Sequence, residues 1–420
     1  MKRYFIILGT IIIAFNLKAQ NDLHKLKLYI DCSQSDCDFD FIRTQIPVVN
    51  YVRDRKESDI HVLIIQQPAG NGGKKFNVLF LGQNQYAAKQ DTLQFFTSAT
   101  ATPDNKRQQL VKVIQAGITP YLAQIGQLDK INISYNADTL SHDQNKITKD
   151  KWNNWVFSIG VRGRFSGDKN YKEKNLSANI SAARVTEKSK FQFHVFKRTV
   201  KNSYSITDSA EKIWLRTIDN YFEVEQEFVK SISSKWSWAV ETAFKKSSYD
   251  NLKSAISTAA GIEYNIFSYT SSSTKFLALR YMIEVTKRNY LEETVYDKMS
   301  ETLFSNNLGA YIYFTQPWGS ISSSVTWYNY FHDFSKNNLS IDANVALQLI
   351  KGVSINFFGN ASLIKDQLSL VKAGASSQDV LLRLKALSTN FNYYTGVGIN
   401  YRFGSKFNNY VNPRFTNGRY

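Results

Sequence analysis

Histidine is the scarcest chemical resource in this sequence: of five residues in 420, His24, His61 and His142 precede position 152, and only His194 and His332 follow it. A lipid-ester hydrolase needs a serine nucleophile, a histidine base and a polar residue that orients the base. Serines are so abundant that one near either histidine specifies nothing, and His332 stands beside Asp333 where a strand is expected to end. Asp36, Asp38 and Asp40 alternate around Cys37 as calcium ligands do, but the segment lacks the glycine and bidentate glutamate of such a loop. Acidic capping of a helix accounts for them better. Gly70, Asn71, Gly72 and Gly73 followed by Lys74 and Lys75 have the composition of a phosphate cradle. No helix follows them, so they read as a hairpin turn. Cys32 and Cys37, the only cysteines, are expected to close a local disulfide in an oxidising compartment; a metal pair is disfavoured because histidine partners are lacking nearby. These patterns call for no catalytic residue, no metal and no cofactor. What remains is electrostatic: Glu223, Glu225 and Glu227 recur at a spacing of two, which in a strand sets three carboxylates on one face.

Long strands must hold them, and residues 152–403 supply the pattern. Over 390–403, Thr395, Val397, Ile399, Tyr401 and Phe403 fall on one face, and Tyr394, Gly396, Gly398, Asn400 and Arg402 on the other. Such alternation, repeated over segments of about ten residues with aromatics at their ends, predicts a transmembrane β-barrel. About twelve strands are expected, near 155–165, 175–186, 190–200, 214–230, 235–247, 253–267, 275–288, 302–315, 320–332, 339–350, 352–365 and 393–403. Mostly long polar connections (166–174, 200–213, 247–252, 288–301, 331–338, 366–392) alternate with short ones (186–189, 231–234, 269–274, 316–319, 350–352), the outer-membrane rule with both ends periplasmic. The last long connection contains a predicted helix over 377–389 with an apolar face, read as a surface helix or a lid.

Because the lipid side must be the apolar one, parity assigns the inner face. Phe222, Val224 and Phe228 look outward, so Glu223, Glu225 and Glu227 look inward; Arg162, Arg164, Glu241, Glu263, Arg280, Glu284, Asp342, Arg402 and His194, the last beside Gln192, are inward by the same rule. Arg162 and Arg164 on the first strand and Arg402 on the last are expected to be neighbours where the barrel closes. An arginine seam thus faces a glutamate wall. Opposed charges either flank a narrow aqueous path or pair across the lumen and plug it, and twelve strands leave limited room.

The rest of the chain fits that compartment. Lys2 and Arg3 precede an apolar run over 4–15, then Leu17, Lys18 and Ala19, so residues 1–19 read as a secretory signal and the mature chain begins at Gln20. The run is shorter than the ~20 residues a helical span needs. Aromatics at 14%, six prolines and a mean hydropathy of −0.34 suit a wall that is half polar by construction. Residues 20–150 carry 15 basic and 14 acidic side chains, residues 151–420 carry 34 and 21, so the charge excess lies in the barrel half. It suits lipopolysaccharide phosphates, anion preference in a pore, or a solvated surface; nucleic acid is excluded by the compartment. Residues 20–135 form a small α/β domain: strands at 26–31, 60–65, 76–81 and 93–97, a helix at 39–46, and an amphipathic helix over 103–124 capped by Thr102 with Pro103 at its first position. The order is β-α-β-β-β-α, in outline like small domains of periplasmic envelope-assembly proteins. A polar linker spans 136–151, and 404–420 forms a tail. Arg53, Asp54 and Arg55, next to Val48, Val49 and Tyr51, form a candidate docking strip for a periplasmic protein, the apolar members being equally suited to the core.

Two blocks of text carry a resemblance. The run Tyr29-Ile30-Asp31-Cys32, Cys37-Asp38-Phe39-Asp40-Phe41-Ile42-Arg43, Ile46-Pro47-Val48-Val49-Asn50-Tyr51-Val52-Arg53-Asp54-Arg55 and Asp59-Ile60-His61-Val62-Leu63 resembles an uncharacterised group of Bacteroidota outer-membrane proteins. The end, Tyr401-Arg402-Phe403-Gly404-Ser405, Asn408-Asn409 and Val411-Asn412-Pro413-Arg414-Phe415, is similar to the end of the same group. More loosely, the barrel half resembles the salt-induced outer-membrane protein family. The likeness implies an outer-membrane barrel with a periplasmic domain and no particular activity. One departure is that about seventeen residues follow Phe403, whereas a barrel ordinarily ends on its last strand. The expectation is a mainly β, monomeric, non-enzymatic protein, about a 12-stranded antiparallel transmembrane β-barrel behind a periplasmic α/β domain. Its role is a narrow or plugged pore for small solutes or ions, or envelope interaction through the domain. Its partners are outer-membrane lipid and lipopolysaccharide, the barrel-assembly machinery and a periplasmic protein. The alternative is a barrel-embedded lipid-modifying hydrolase.

Overall fold

A computed structural model describes residues 25–32, 37–69, 72–127, 152–208, 211–373, 388–412 and 414. The expected signal segment, the linker and nearly all of the 377–389 helix lie outside the described residues.

The N-terminal unit runs β1 (Lys27–Cys32), α1 (Phe39–Gln45), β2 (Asn50–Tyr51), β3 (Ile60–Pro68), β4 (Lys74–Gly82), β5 (Gln90–Thr97) and α2 (Pro103–Gln124). Its sheet has the order β2-β1-β3-β4-β5, with β1 parallel to both β2 and β3 and the remaining pairs antiparallel. β3 is central and buried along seven consecutive residues, which explains a continuous apolar run in place of alternation. Ile60, Val62 and Ile64 pack with Val78 and Phe80 of β4 and with Leu110, Ile114, Ile118 and Leu122 of α2. Capping follows the sequence: the Thr102 hydroxyl accepts from the Asn105 amide at 3.1 Å, and the Asp38 carboxylate accepts from the Phe41 amide at 2.9 Å. Asp38 also takes Arg107 at 3.0 Å, and Cys32 is joined to Cys37. The expected element order lacks β2, which at two residues is too short to show any period.

Gly117 fixes the distance between α2 and the sheet. A Cβ there would lie 2.0 Å from Cζ of Phe80, a ring with no exposure. Gly117→Ala gains about 1 kcal/mol of helix propensity, but displacing a ring in a close-packed core costs ~1–3 kcal/mol or more. The expected net result is a loss of up to about 2 kcal/mol in the domain's unfolding transition, read by urea titration.

Residues 155–401 form one antiparallel meander: β6 (Trp155–Gly167), β7 (Tyr171–Val185), β8 (Ser189–Asp208), β9 (Glu211–Ser231), β10 (Trp236–Ser247), β11 (Leu252–Asn265), β12 (Lys275–Tyr290), β13 (Ser300–Gln316), β14 (Gly319–Tyr330), β15 (Asp333–Ile350), β16 (Val353–Ile364) and β17 (Phe391–Tyr401). They make a 12-stranded sheet in sequence order. One face carries exposed apolar side chains along its length, among them Ile159, Val161, Ile218, Ile262, Ile283, Leu308, Val325, Val397 and Ile399. Val161 at 82% and Ile159 at 79% exposure have no protein against them, which is the condition of a face built for an apolar surrounding.

Three expectations are corrected. The alternation of long and short connections is not kept: β6–β7, β10–β11 and β14–β15 are joined by 168–170, 248–251 and 331–332, no longer than the turns at the other end. The connection expected over 200–213 is ladder, with β8 and β9 paired as far as Asp208 and Glu211. Lys201, Asn202 and Ser203 read as loop because they are polar, yet strand pairing needs only backbone partners. The third correction is larger. β6 and β17 are the two ends of the sheet and are not hydrogen-bonded to each other, so the sheet is not closed. Eleven ladders do not by themselves bring the free edges together, and the expected neighbourhood of Arg162, Arg164 and Arg402 is not formed.

Candidate functional site

Strand register places the predicted inner residues on the face opposite the apolar one. Gln192, Glu227, Glu241, Ala259, Glu284 and Ser305 stand opposite one another across β8 to β13. Glu227 and Glu241 are therefore directly paired, an arrangement like charges resist, and the Lys190 ammonium at 2.6 Å from Glu227 offsets it. In the adjoining rows Glu225 lies between His194 and Ala243, and Glu223 between Phe196 and Lys245. Glu263 faces Arg280, which donates to it through Nε at 3.0 Å and a terminal nitrogen at 2.7 Å; the Tyr269 hydroxyl donates to the same carboxylate at 2.8 Å. Arg280 also lies over the Tyr311 ring, 5.0 Å from its centroid. Arg164 pairs with Glu173 at 2.5 Å, Asp342 accepts from Asn360 at 2.7 Å, and Glu284 accepts from Thr286. Arg162 stands opposite Ser177 on the same face.

Among the described residues, the ion pairs on the face opposite the apolar one join neighbouring strands or a strand to the adjacent turn. Parity found the face, but Lys190, Tyr269 and Tyr311 were missed, since naming them requires the register between strands. Register also shows a row the sequence hid: Ser181, His194 and Glu225 are opposite one another on β7, β8 and β9. No hydrogen bond joins the three side chains among the described residues; the His194 ring instead stacks on Phe196 at 6.2 Å.

The second part of the site lies at the end of the sheet that carries the β13–β14 and β15–β16 turns. Asp54, only 6% exposed, accepts from the Gly352 amide at 2.5 Å, from Gln348 Nε2 at 3.3 Å and from the Lys56 amide at 2.9 Å. Arg55 donates to the carbonyls of Pro317 and, at 3.2 Å, Gln348; Glu57 forms an ion pair with Lys351. That pair holds the exposed Lys351 ammonium above its ordinary pKa. The strip expected to meet a separate protein thus meets the turns β13–β14 and β15–β16 of the same chain, while Val49 and Tyr51 are core. Gly352 is required there: its φ is +73°, and a Cβ would lie 2.3 Å from the Arg402 carbonyl oxygen.

The tail adds the other half of this attachment. Val52 and Phe407 form an antiparallel bridge, the Arg53 amide donates to the Lys406 carbonyl at 2.9 Å, and the Asn408 amide to the Tyr51 carbonyl at 2.8 Å. Asn409 accepts from the Tyr51 amide through Oδ1 at 2.6 Å and donates to Asn50 Oδ1 at 2.9 Å. The chain leaving β17 therefore lies along the β2 edge of the domain, covering backbone groups that an edge strand leaves unpaired.

Arg402, expected in a seam, lies beyond β17 and lines a cavity of about 370 Å³ between the domain, the β15–β16 turn and the tail. Tyr29 lines the same space, and burial pushes its hydroxyl up to about 12, with Asp31 and Asp54 adding to the effect. It stays protonated, a donor, throughout the neutral range.

No protein-family model matches the chain, and no curated protein matches it. Among solved structures, a NanC porin matches over 58% of this chain and 99% of its own, at 8% identity and a TM-score of 0.28. No helix among the described residues is long and apolar enough to cross a membrane, which says nothing about crossing by strands.

Proposed function

We propose that this chain is a non-enzymatic outer-membrane β-barrel protein that passes small solutes or ions along a narrow charged lumen, with its N-terminal domain seated over the periplasmic mouth. The sequence blocks that resemble the Bacteroidota group belong to this proposal. The observation that carries it is the division of one 12-stranded meander into an exposed apolar face and a face bearing Glu223, Glu225, Glu227, Glu241, Glu263, Arg280 and Glu284. In hydrocarbon the free backbone groups of β6 and β17 must find partners, so closure of these two edges on each other belongs to the proposal as well. Planar-bilayer recordings of the purified protein are expected to show small cation-preferring steps. Glu223→Gln/Glu225→Gln/Glu227→Gln should move the reversal potential toward anions, since three carboxylates leave one row of the wall. No conductance in either protein would end the pore reading.

The Ser181, His194 and Glu225 row is the one observation favouring a lipid hydrolase. It lacks the hydrogen bonds a nucleophile and its base need, and the backbone amides around Ser181 are engaged in strand ladders, leaving no donor pair for an oxyanion. Ester hydrolysis abolished by His194→Ala and Ser181→Ala would restore that reading.

A further inference from the structure

The cavity beneath the domain carries an imbalance of charge. Its ionisable lining comprises four cations, Arg53, Lys351, Arg402 and Lys406, and the two acids Asp54 and Glu57. Both acids are occupied: Asp54 by the Gly352 amide, Gln348 and the Lys56 amide, and Glu57 by Lys351. Among the described residues no carboxylate lies within ion-pair distance of the Arg53, Arg402 or Lys406 side chains; Lys406 lies only over the ring of Phe407, at 5.5 Å. The three cations come from three segments: the domain loop, the exit of β17 and the tail strand. With Glu57 set against Lys351, the single charge of Asp54 faces three cations, and the remaining excess of positive charge opposes the docked arrangement unless a further anion sits among them.

We propose that this cavity is a binding site for a small organic oxyanion, a carboxylate or phosphate, held by Arg53, Arg402 and Lys406. Two guanidinium forks present paired N–H groups that match carboxylate and phosphate oxygens. Tyr29 adds a neutral hydroxyl, and Tyr401 and Phe403 give apolar wall. A volume of about 370 Å³ lies at the lower end of small-molecule sites and above what a bare inorganic ion needs. Because Arg53 belongs to the domain and Arg402 to the chain leaving the sheet, the bound anion bridges the two. It strengthens the seat of the domain by mass action. The proposal rests on the docked arrangement alone and is independent of conductance.

The test is isothermal titration calorimetry of the full-length protein in maltoside micelles with citrate and with inorganic phosphate, using sucrose as the neutral control. One citrate is expected to bind per chain, more tightly than phosphate. Arg53→Gln and Arg402→Gln should each weaken it about tenfold or more, the loss of one charge-assisted pair. The Glu57→Cys/Lys351→Cys disulfide, formed in the same variants, verifies that the domain remains seated. No binding of either anion at 10 mM (roughly the weakest affinity such a site would show), undiminished binding by Arg53→Gln/Arg402→Gln, or equal uptake of sucrose overturns the proposal. A second arm in phosphatidylglycerol nanodiscs distinguishes the source of the oxyanion while the site stands in both cases. Phosphate affinity falls there if a lipid headgroup occupies the cavity, and is unchanged if the ligand is a soluble solute.

Discussion

Truncation after Gly404 is expected to loosen the domain from the sheet and expose the β2 edge. The tail supplies two backbone hydrogen bonds and two through Asn409, spanning from Asn50 to Arg53. At about 1 kcal/mol net for each bond, and allowing for the entropy of ordering a short segment, the loss is about 2–3 kcal/mol of attachment. Amide hydrogen exchange is the suitable measurement, because the Tyr51 and Arg53 amides lose their acceptors outright. Their exchange should accelerate by about 30- to 100-fold while the β3 amides, in the centre of the domain sheet, keep their protection. Unchanged exchange at Tyr51 and Arg53 would mean the tail does not pair with the domain in solution. The single change Asn409→Ala should give about half the effect, since it removes two of the four bonds.

The second large effect belongs to Asp54. A carboxylate that is 6% exposed and accepts three hydrogen bonds holds the β15–β16 turn directly. Asp54→Ala leaves the Gly352 amide facing a void in a turn whose φ of +73° gives it little room to relax. Hydrogen bonds to a charged acceptor are worth about 1.5–3 kcal/mol, so about 3 kcal/mol of docking is expected to go, with the domain's own fold retained. Asp54→Asn keeps an acceptor for Gly352 and should cost about 1 kcal/mol. Hydrogen exchange at the Gly352 amide, which donates to Asp54, would report the loss of the contact: it should be faster in Asp54→Ala than in wild type and only slightly faster in Asp54→Asn. Equal rates in all three proteins would show that Asp54 does not hold the turn.

The difference between what was legible in the sequence and what was not follows from the range of the interactions. Strand number was legible because a face that meets an apolar surrounding must alternate residue by residue, as Thr395, Val397, Ile399 and Tyr401 do. The α2 boundaries were legible because Thr102, Pro103 and the apolar stripe Leu110, Ile114, Ile118 are local signals. The placement of Glu223, Glu225 and Glu227 on the face opposite the apolar one followed from the same period. Pairings did not, since Glu227 finds Lys190 and Glu263 finds Arg280 through register, which one sequence does not display. The tail was beyond reach for a stronger reason. Asn409 meets Asn50 across 359 positions of chain, and nothing in either short polar segment announces the other. The docking strip was recognised as polar and exposed by nature, but its partner was sought outside the chain, whereas Pro317, Gln348, Lys351 and Gly352 supply it. Closure of the sheet was expected from the repeated alternation of a barrel wall, a pattern that permits closure without enforcing it.

Domain and sheet form one unit, with the domain seated on the end that carries the β13–β14 and β15–β16 turns. Glu57→Cys combined with Lys351→Cys tests it most directly, because these side chains form an ion pair across the contact and the native cysteines are already joined to each other. In membranes from cells expressing the double variant, mild oxidation should give a monomeric species with altered mobility on a non-reducing gel, reversed by dithiothreitol and absent from either single variant. A failure to form that species, or the appearance of disulfide-linked dimers in its place, would contradict the seated arrangement.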